Sequence, residues 1–208
     1  MHATGLDPVR RTLPFMDDKR WEAHFQNLAA QGREFRPHSD PVVERMARDL
    51  PPGRALDLAC GAGGNALWLA ARGWKVTAVD RSPAAIELVR AQAEQRGIRI
   101  DARIADLEAH EFRIEPGAWD LILLCRYLQR DLFEPARLGL APSGVLIVIA
   151  LLAEPGSSGA FRVQPGELAE AFGPSSGWSV LHQREIVHLP EGSSRGHALA
   201  EMVIRRDR

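Results

Sequence analysis

Asp57 stands inside an apolar run, Ala55-Leu56-Asp57-Leu58-Ala59, and a turn of small residues follows it, Cys60-Gly61-Ala62-Gly63-Gly64. A second acid, Asp80, closes another run, Lys75-Val76-Thr77-Ala78-Val79, about twenty residues after the glycines. Glycine lets a backbone approach a bound molecule closely. A carboxylate at the end of a strand accepts hydrogen bonds from hydroxyls or faces a cation. Gly61-Ala62-Gly63-Gly64-Asn65-Ala66 satisfies G-x-G-x-x-[GA], and with Asp80 at that distance one reading is a dinucleotide site. Asp57 opposes it. A carboxylate just before the turn repels a pyrophosphate and suits a ligand carrying an ammonium and a sulfonium.

The surrounding pattern predicts the elements that hold these residues. Ala66, Leu67, Leu69 and Ala70 are spaced as one face of a helix, and Gly73 ends it. Strand, glycine turn, helix, strand and acid make a right-handed βαβ unit, with a ligand expected at the carboxyl edge. Ser82-Pro83 starts the next helix, with Ala85, Ile86, Val89 and Ala93 inward and Gly97 at its end. Ile98–Ile104 reads as the third strand, followed by Ala105-Asp106-Leu107. Trp119–Leu124 is a near-continuous apolar run, as a parallel strand buried on both faces requires. Cys125-Arg126-Tyr127 leaves its carboxyl end, and Pro135 is expected to break the helix that follows. Ala141-Pro142-Ser143-Gly144 is expected to turn into a strand over Val145–Leu152. Gln164-Pro165-Gly166-Glu167-Leu168 opens a short helix ending at Phe172-Gly173. Trp178–His188 and His197–Arg205 read as two final strands.

Ahead of this unit, Asp40-Pro41 starts a helix with Val42, Val43, Met46 and Leu50 inward, broken by Pro51-Pro52-Gly53. Asp17-Asp18 caps an earlier helix with Trp21, Phe25 and Leu28 on one face. Residues 1–50 are therefore an N-terminal arm with helices, either packed on the core or serving as a lid. Residues 51–208 are the ligand-binding domain.

At 208 residues one α/β domain is the expectation. A formal net charge of −1 gives no reason to expect nucleic acid or a membrane surface as partner. Lys19 and Lys75 are the only lysines beside abundant arginine, a GC-rich bacterial coding bias. Cys60 and Cys125 are the only cysteines, which fits a reducing cytoplasm and offers no Cys-x-x-Cys metal site. No apolar run approaches the ~18 residues of a membrane helix, and the N-terminus lacks the order of a signal peptide.

The pattern Asp57-x-Ala59-Cys60-Gly61-x-Gly63 resembles motif I of the class I S-adenosyl-L-methionine (SAM) methyltransferases, usually D-x-G-x-G-x-G, with Ala59 in place of the first glycine. The N-terminal W-x-x-x-F, the tract Arg126–Phe133 and Pro165-Gly166-Glu167-Leu168 are similar to the TehB-like, tellurite-resistance type of small-molecule methyltransferase. The resemblance implies a Rossmann-like, seven-stranded, mostly parallel sheet in the order 3-2-1-4-5-7-6, with helices on both faces. It implies SAM as cofactor and S-adenosylhomocysteine as product. Asp57, Ala59, Cys60, Gly61, Gly63 and Asn65 would hold the methionine end. Asp80 would accept from the ribose hydroxyls, with Arg81 over the adenine. Asp106 and Leu107 would meet the adenine edge, and Cys125 would line the same pocket. On the acceptor side the resemblance points to His188 and Arg195, with Arg126 and Tyr127 beside them; no metal is expected. The reaction it implies is methyl transfer by in-line displacement to a chalcogen oxyanion, thiol, nitrogen or oxygen. Two alternatives stay open, a non-catalytic SAM-binding module and an NAD-type oxidoreductase.

Overall fold

A computed structural model of the chain describes residues 18–32, 37–153, 161–187 and 198–208. His188, Arg195 and His197 lie outside the described residues, as do 1–17. The elements run α1 (Asp18–Ala30), α2 (Pro41–Ala47), β1 (Arg54–Leu58), α3 (Gly64–Ala70), β2 (Lys75–Asp80), α4 (Pro83–Gln95), β3 (Ile100–Ile104), β4 (Trp119–Cys125), α5 (Phe133–Gly139), β5 (Leu140–Leu152), β6 (Arg162–Val163), α6 (Glu167–Phe172), β7 (Trp178–Ile186) and β8 (Leu199–Arg206).

The strands form one sheet in the order β3-β2-β1-β4-β5-β8-β7, with the short β6 on β5. Strands β1 to β5 are parallel where they pair, and β8 and β7 add an antiparallel ribbon. This is the expected order, 3-2-1-4-5-7-6, with the two-residue β6 shifting the last two numbers. Nothing in Arg162-Val163 marks it as a strand; two residues carry no alternation to read.

Alternating residues explain the burial. Leu56, Leu58, Ile122, Leu124, Leu146 and Val148 join one core cluster. Their neighbours Ala55, Ala78, Leu121, Leu123, Ile147 and Ile149 join another. A strand segment buried on both faces must be apolar, and Leu121–Leu124 of β4 and Val145–Ala150 of β5 are. Both proline-marked helix starts hold. Asp40 caps α2 by accepting from the Val42 amide at 2.9 Å, and Ser82 caps α4 by accepting from Ala85 at 3.1 Å.

Three local expectations need correction. Pro135 lies in the first turn of α5, where its missing amide costs no helical hydrogen bond, so it does not break that helix. The stretch Ala141–Gly144 is inside β5, not a turn before it: Ser143 takes φ +66°, and the register against β4 shifts between Trp119 and Leu121. Two element bounds are also displaced by a few residues, β3 starting at Ile100 and α2 ending at Ala47, before Leu50. No helix occupies residues 105–118, which connect β3 to β4 by turns.

Candidate cofactor and acceptor site

The carboxyl ends of β1, β2 and β4 bring Asp57, Asp80 and Cys125 to one edge. Parallel pairing does this directly, with Asp57 opposite Ala78 on β2 and Leu123 on β4. After β1 the chain turns through two left-handed residues, Ala59 (φ +53°) and Gly61 (φ +54°), and a third, Gly63 (φ +80°), opens α3. The position where the resembled motif carries glycine is thus a left-handed residue here, occupied by alanine at a steric cost. A Cβ at Gly63 would stand 2.6 Å from the Val89 side chain, and one at Gly64 2.1 Å from the His38 carbonyl oxygen. Gly63 is required by conformation and by close packing, Gly64 by close packing alone.

Asp57 is 1% exposed, and its Oδ2 has no hydrogen-bond partner. Burial, and then the nearby Asp80 carboxylate, push its carboxyl up to about 7, against a hydrogen bond from the Ala66 amide. A buried carboxyl oxygen with nothing to bind, beside a turn of small residues, is matched by a ligand ammonium. Asp80 is also buried. Its Oδ2 accepts from the Gly61 amide at 2.8 Å and its Oδ1 from the Ser82 amide at 2.9 Å. Burial raises its carboxyl, and the Ser82 and Gly61 amides partly offset that. A carboxylate offers about four acceptor sites, so capacity remains for a hydroxyl.

Further along the edge, Asp106 accepts from the Glu108 amide at 2.9 Å and pairs with Arg81 at 3.3 Å. Arg81 also reaches Glu108 at 3.7 Å, so its guanidinium lies among acids. Leu107 is buried, and its carbonyl accepts from Gln129, which in turn accepts from the Tyr127 hydroxyl at 2.6 Å. Burial, then Glu108 and Asp106, raise the Tyr127 phenol, so it is a hydrogen-bond donor at neutral pH. Burial, then Asp57, likewise raises the Cys60 and Cys125 thiols, and both stay protonated. Among the described residues no cluster of three or more His, Cys, Asp or Glu could hold a metal.

Two features escaped the sequence. Arg126 takes φ +61°, and its amide donates to the Ile149 carbonyl at 2.6 Å, so the chain bends sharply off β4. Residues 37–40 lie across the glycine turn, with the Asp40 amide donating to Asn65 Oδ1 at 2.8 Å. Helix α1 sits on the same turn: Phe25 is 3.3 Å from where a Gly61 Cβ would be, and the Ser82 hydroxyl bonds Glu22. His182 is elsewhere, on β7, paired at 2.8 Å with Glu201, which is 2% exposed. A cavity of about 450 Å³ opens between Arg54, Lys75, Arg99 and Trp119 at the opposite, amino edge of the sheet, away from Asp57.

Comparison with known proteins agrees with this geometry. A family model described as a methyltransferase domain matches residues 55–143. The ubiquinone biosynthesis O-methyltransferase of Methylocella silvestris is 38% identical over 100 residues, which is 48% of this chain and 38% of that protein. The chain therefore aligns with well under half of that relative's length. The demethylmenaquinone methyltransferase of Thermus thermophilus is 29% identical over 166 residues, 76% of this chain and 66% of that one. The crystal structure of TehB from Haemophilus influenzae superposes with a TM-score of 0.67 at 20% identity, covering 91% of this chain and 68% of that chain. Residues 55–143 match a methyltransferase domain, and the chain has the fold of the class I SAM-dependent methyltransferases, a fold it shares with TehB. SAM is the cofactor of the class, and the unpartnered oxygen of Asp57 fits its ammonium.

Proposed function

We propose that the protein transfers the methyl group of SAM to a small-molecule acceptor. The observation that carries this reading is Asp57, a buried carboxyl with an unpartnered oxygen at a left-handed small-residue turn. SAM supplies a methyl group already activated by its sulfonium. The protein's part is then to bind, align and exclude water. Asp57 takes the ammonium and Gly61 to Gly63 admit the methionine end. Asp80 accepts from the ribose, and Asp106 and Leu107 meet the adenine. Phe25 of α1 and residues 37–40 cover the turn and serve as a lid over the donor.

On the acceptor side, Tyr127 and Cys125 both keep their protons at neutral pH and cannot serve as a base. That favours acceptors that bring their own lone pair, such as selenite, tellurite or a thiolate. His188 and Arg195 are assigned to the same side, with Arg126 and Tyr127. The names of the two curated relatives add quinone-type rings to the acceptor panel.

Calorimetric titration with SAM, S-adenosylhomocysteine and NAD tests the cofactor. Saturable binding of the first two and none of NAD is expected. NAD binding alone would move the reading to an oxidoreductase. An acceptor screen with selenite, tellurite, small thiols and quinols then separates an enzyme from a SAM-binding module, since only the enzyme forms S-adenosylhomocysteine with turnover.

A further inference from the structure

Asp40 joins three parts of the molecule that the cofactor reading treats separately. Its Oδ1 caps α2 through the Val42 amide at 2.9 Å. Its own amide donates to Asn65 Oδ1 on α3 at 2.8 Å. Its Oδ2 accepts from Arg126 Nη2 at 3.2 Å, just past the end of β4. The Asp40 side chain is 7% exposed and that of Arg126 48%. Two residues earlier, the His38 carbonyl presses on Gly64 so closely that no Cβ fits between them. The segment 37–40 is thus a strap fastened at one end to the cofactor turn and at the other to the acceptor-side arginine.

We propose that Asp40 is a positioning residue of the cofactor site: its ion pair with Arg126 holds the 37–40 strap on Asn65 and Gly64, so that cofactor affinity depends on Arg126. This rests on the SAM reading above. The two partners are not equivalent. The carboxylate is buried and the guanidinium half open, so removing the arginine strands a buried charge, whereas removing the carboxylate releases a cation into water. Loss of Arg126 must therefore be worse than loss of the Asp40 charge, and neutralising Asp40 must rescue the loss of Arg126. Simple packing damage gives no such rescue.

The test is S-adenosylhomocysteine affinity by calorimetry on the full chain, for wild type, D40N, R126Q, R126K and D40N/R126Q. Asparagine caps a helix about as well as aspartate, so D40N keeps α2. Far-UV circular dichroism confirms that each variant is folded. The expected losses are about 3-fold for D40N and about 5-fold or more for R126Q. R126K is expected to stay within about 2-fold of wild type, and the double variant to match D40N. Wild-type affinity in R126Q overturns the proposal, as does a double variant whose loss is the product of the two single losses. Should wild type bind no S-adenosylhomocysteine, the cofactor reading falls and this proposal with it. Should wild type bind and all variants match it, this proposal falls alone.

Discussion

Asp57 makes the site's pH dependence calculable. Its carboxyl lies at about 7 in the folded protein against an ordinary value of 3.8, because burial, and then Asp80, disfavour the charge. The folded state therefore holds a proton that the unfolded chain has released between those two values. Stability must fall as pH rises through this window and level off above about 7. At ~1.36 kcal/mol per pH unit, the full displacement is worth about 4 kcal/mol, and the part between pH 5 and 8 about 3 kcal/mol. Asp57→Asn removes the titrating group and keeps the shape. Urea unfolding of wild type and variant at pH 5, 6, 7 and 8 isolates Asp57 and its coupling to Asp80, because the acids remote from it cancel in the difference. The variant should gain on wild type by about 1.4 kcal/mol per unit up to pH 7 and then run parallel. It should also lose cofactor affinity at every pH. A difference that does not change with pH would refute the account of Asp57 as a charge held in a desolvated site. In the wild type, a ligand ammonium favours the ionised carboxylate, so cofactor affinity should climb with pH below 7 and flatten above it.

Ala59→Gly should stabilise the apo protein by about 1 kcal/mol in urea unfolding, since φ +53° strains alanine and not glycine; no change would mean that this turn relaxes at no cost. Gly64→Ala should cost about 2 kcal/mol or more and weaken cofactor binding, because its Cβ meets the His38 carbonyl at 2.1 Å. Asp80→Asn should lower the pH at which the Asp57 profile levels off, since it removes the neighbouring charge, and calorimetry should show weaker SAM binding. An unshifted profile in that variant would leave burial as the sole cause.

The βαβ core was legible because its signals are local. The apolar runs of β1, β2 and β4, the capping pairs Asp40-Pro41 and Ser82-Pro83, and the glycine turn each state their structure within a few residues. Asp57 and Asp80 were found by the same logic, since a strand end fixes where an acid goes. What stayed hidden was non-local or too short. The two residues of β6 carry no period, and Pro135 reads as a breaker until the helix start is known. Asp40 looked like a cap and nothing more, because its bond to Arg126 spans 86 positions of sequence. Arg126 gave no warning of its left-handed backbone, a conformation that sequence announces only when glycine, asparagine or aspartate takes it.

The charges at the edge also bear on which nucleotide the site prefers. A dinucleotide would set a pyrophosphate against Gly61 to Gly63, within reach of a carboxyl that Asp80 already makes hard to ionise. Bringing that anion in would raise Asp57 further, and no lysine or arginine is among the causes that lower its value. An ammonium has the opposite effect. It supplies the partner that Oδ2 lacks and offsets the burial and the Asp80 charge that raise its value. The same two carboxylates that oppose one nucleotide therefore stabilise the other, and they do so in a water-poor turn where charge interactions are strongest. Chain topology alone makes no such distinction, because both ligand classes use the carboxyl edge of a parallel sheet. The preference comes from Asp57, one buried side chain inside an otherwise apolar strand.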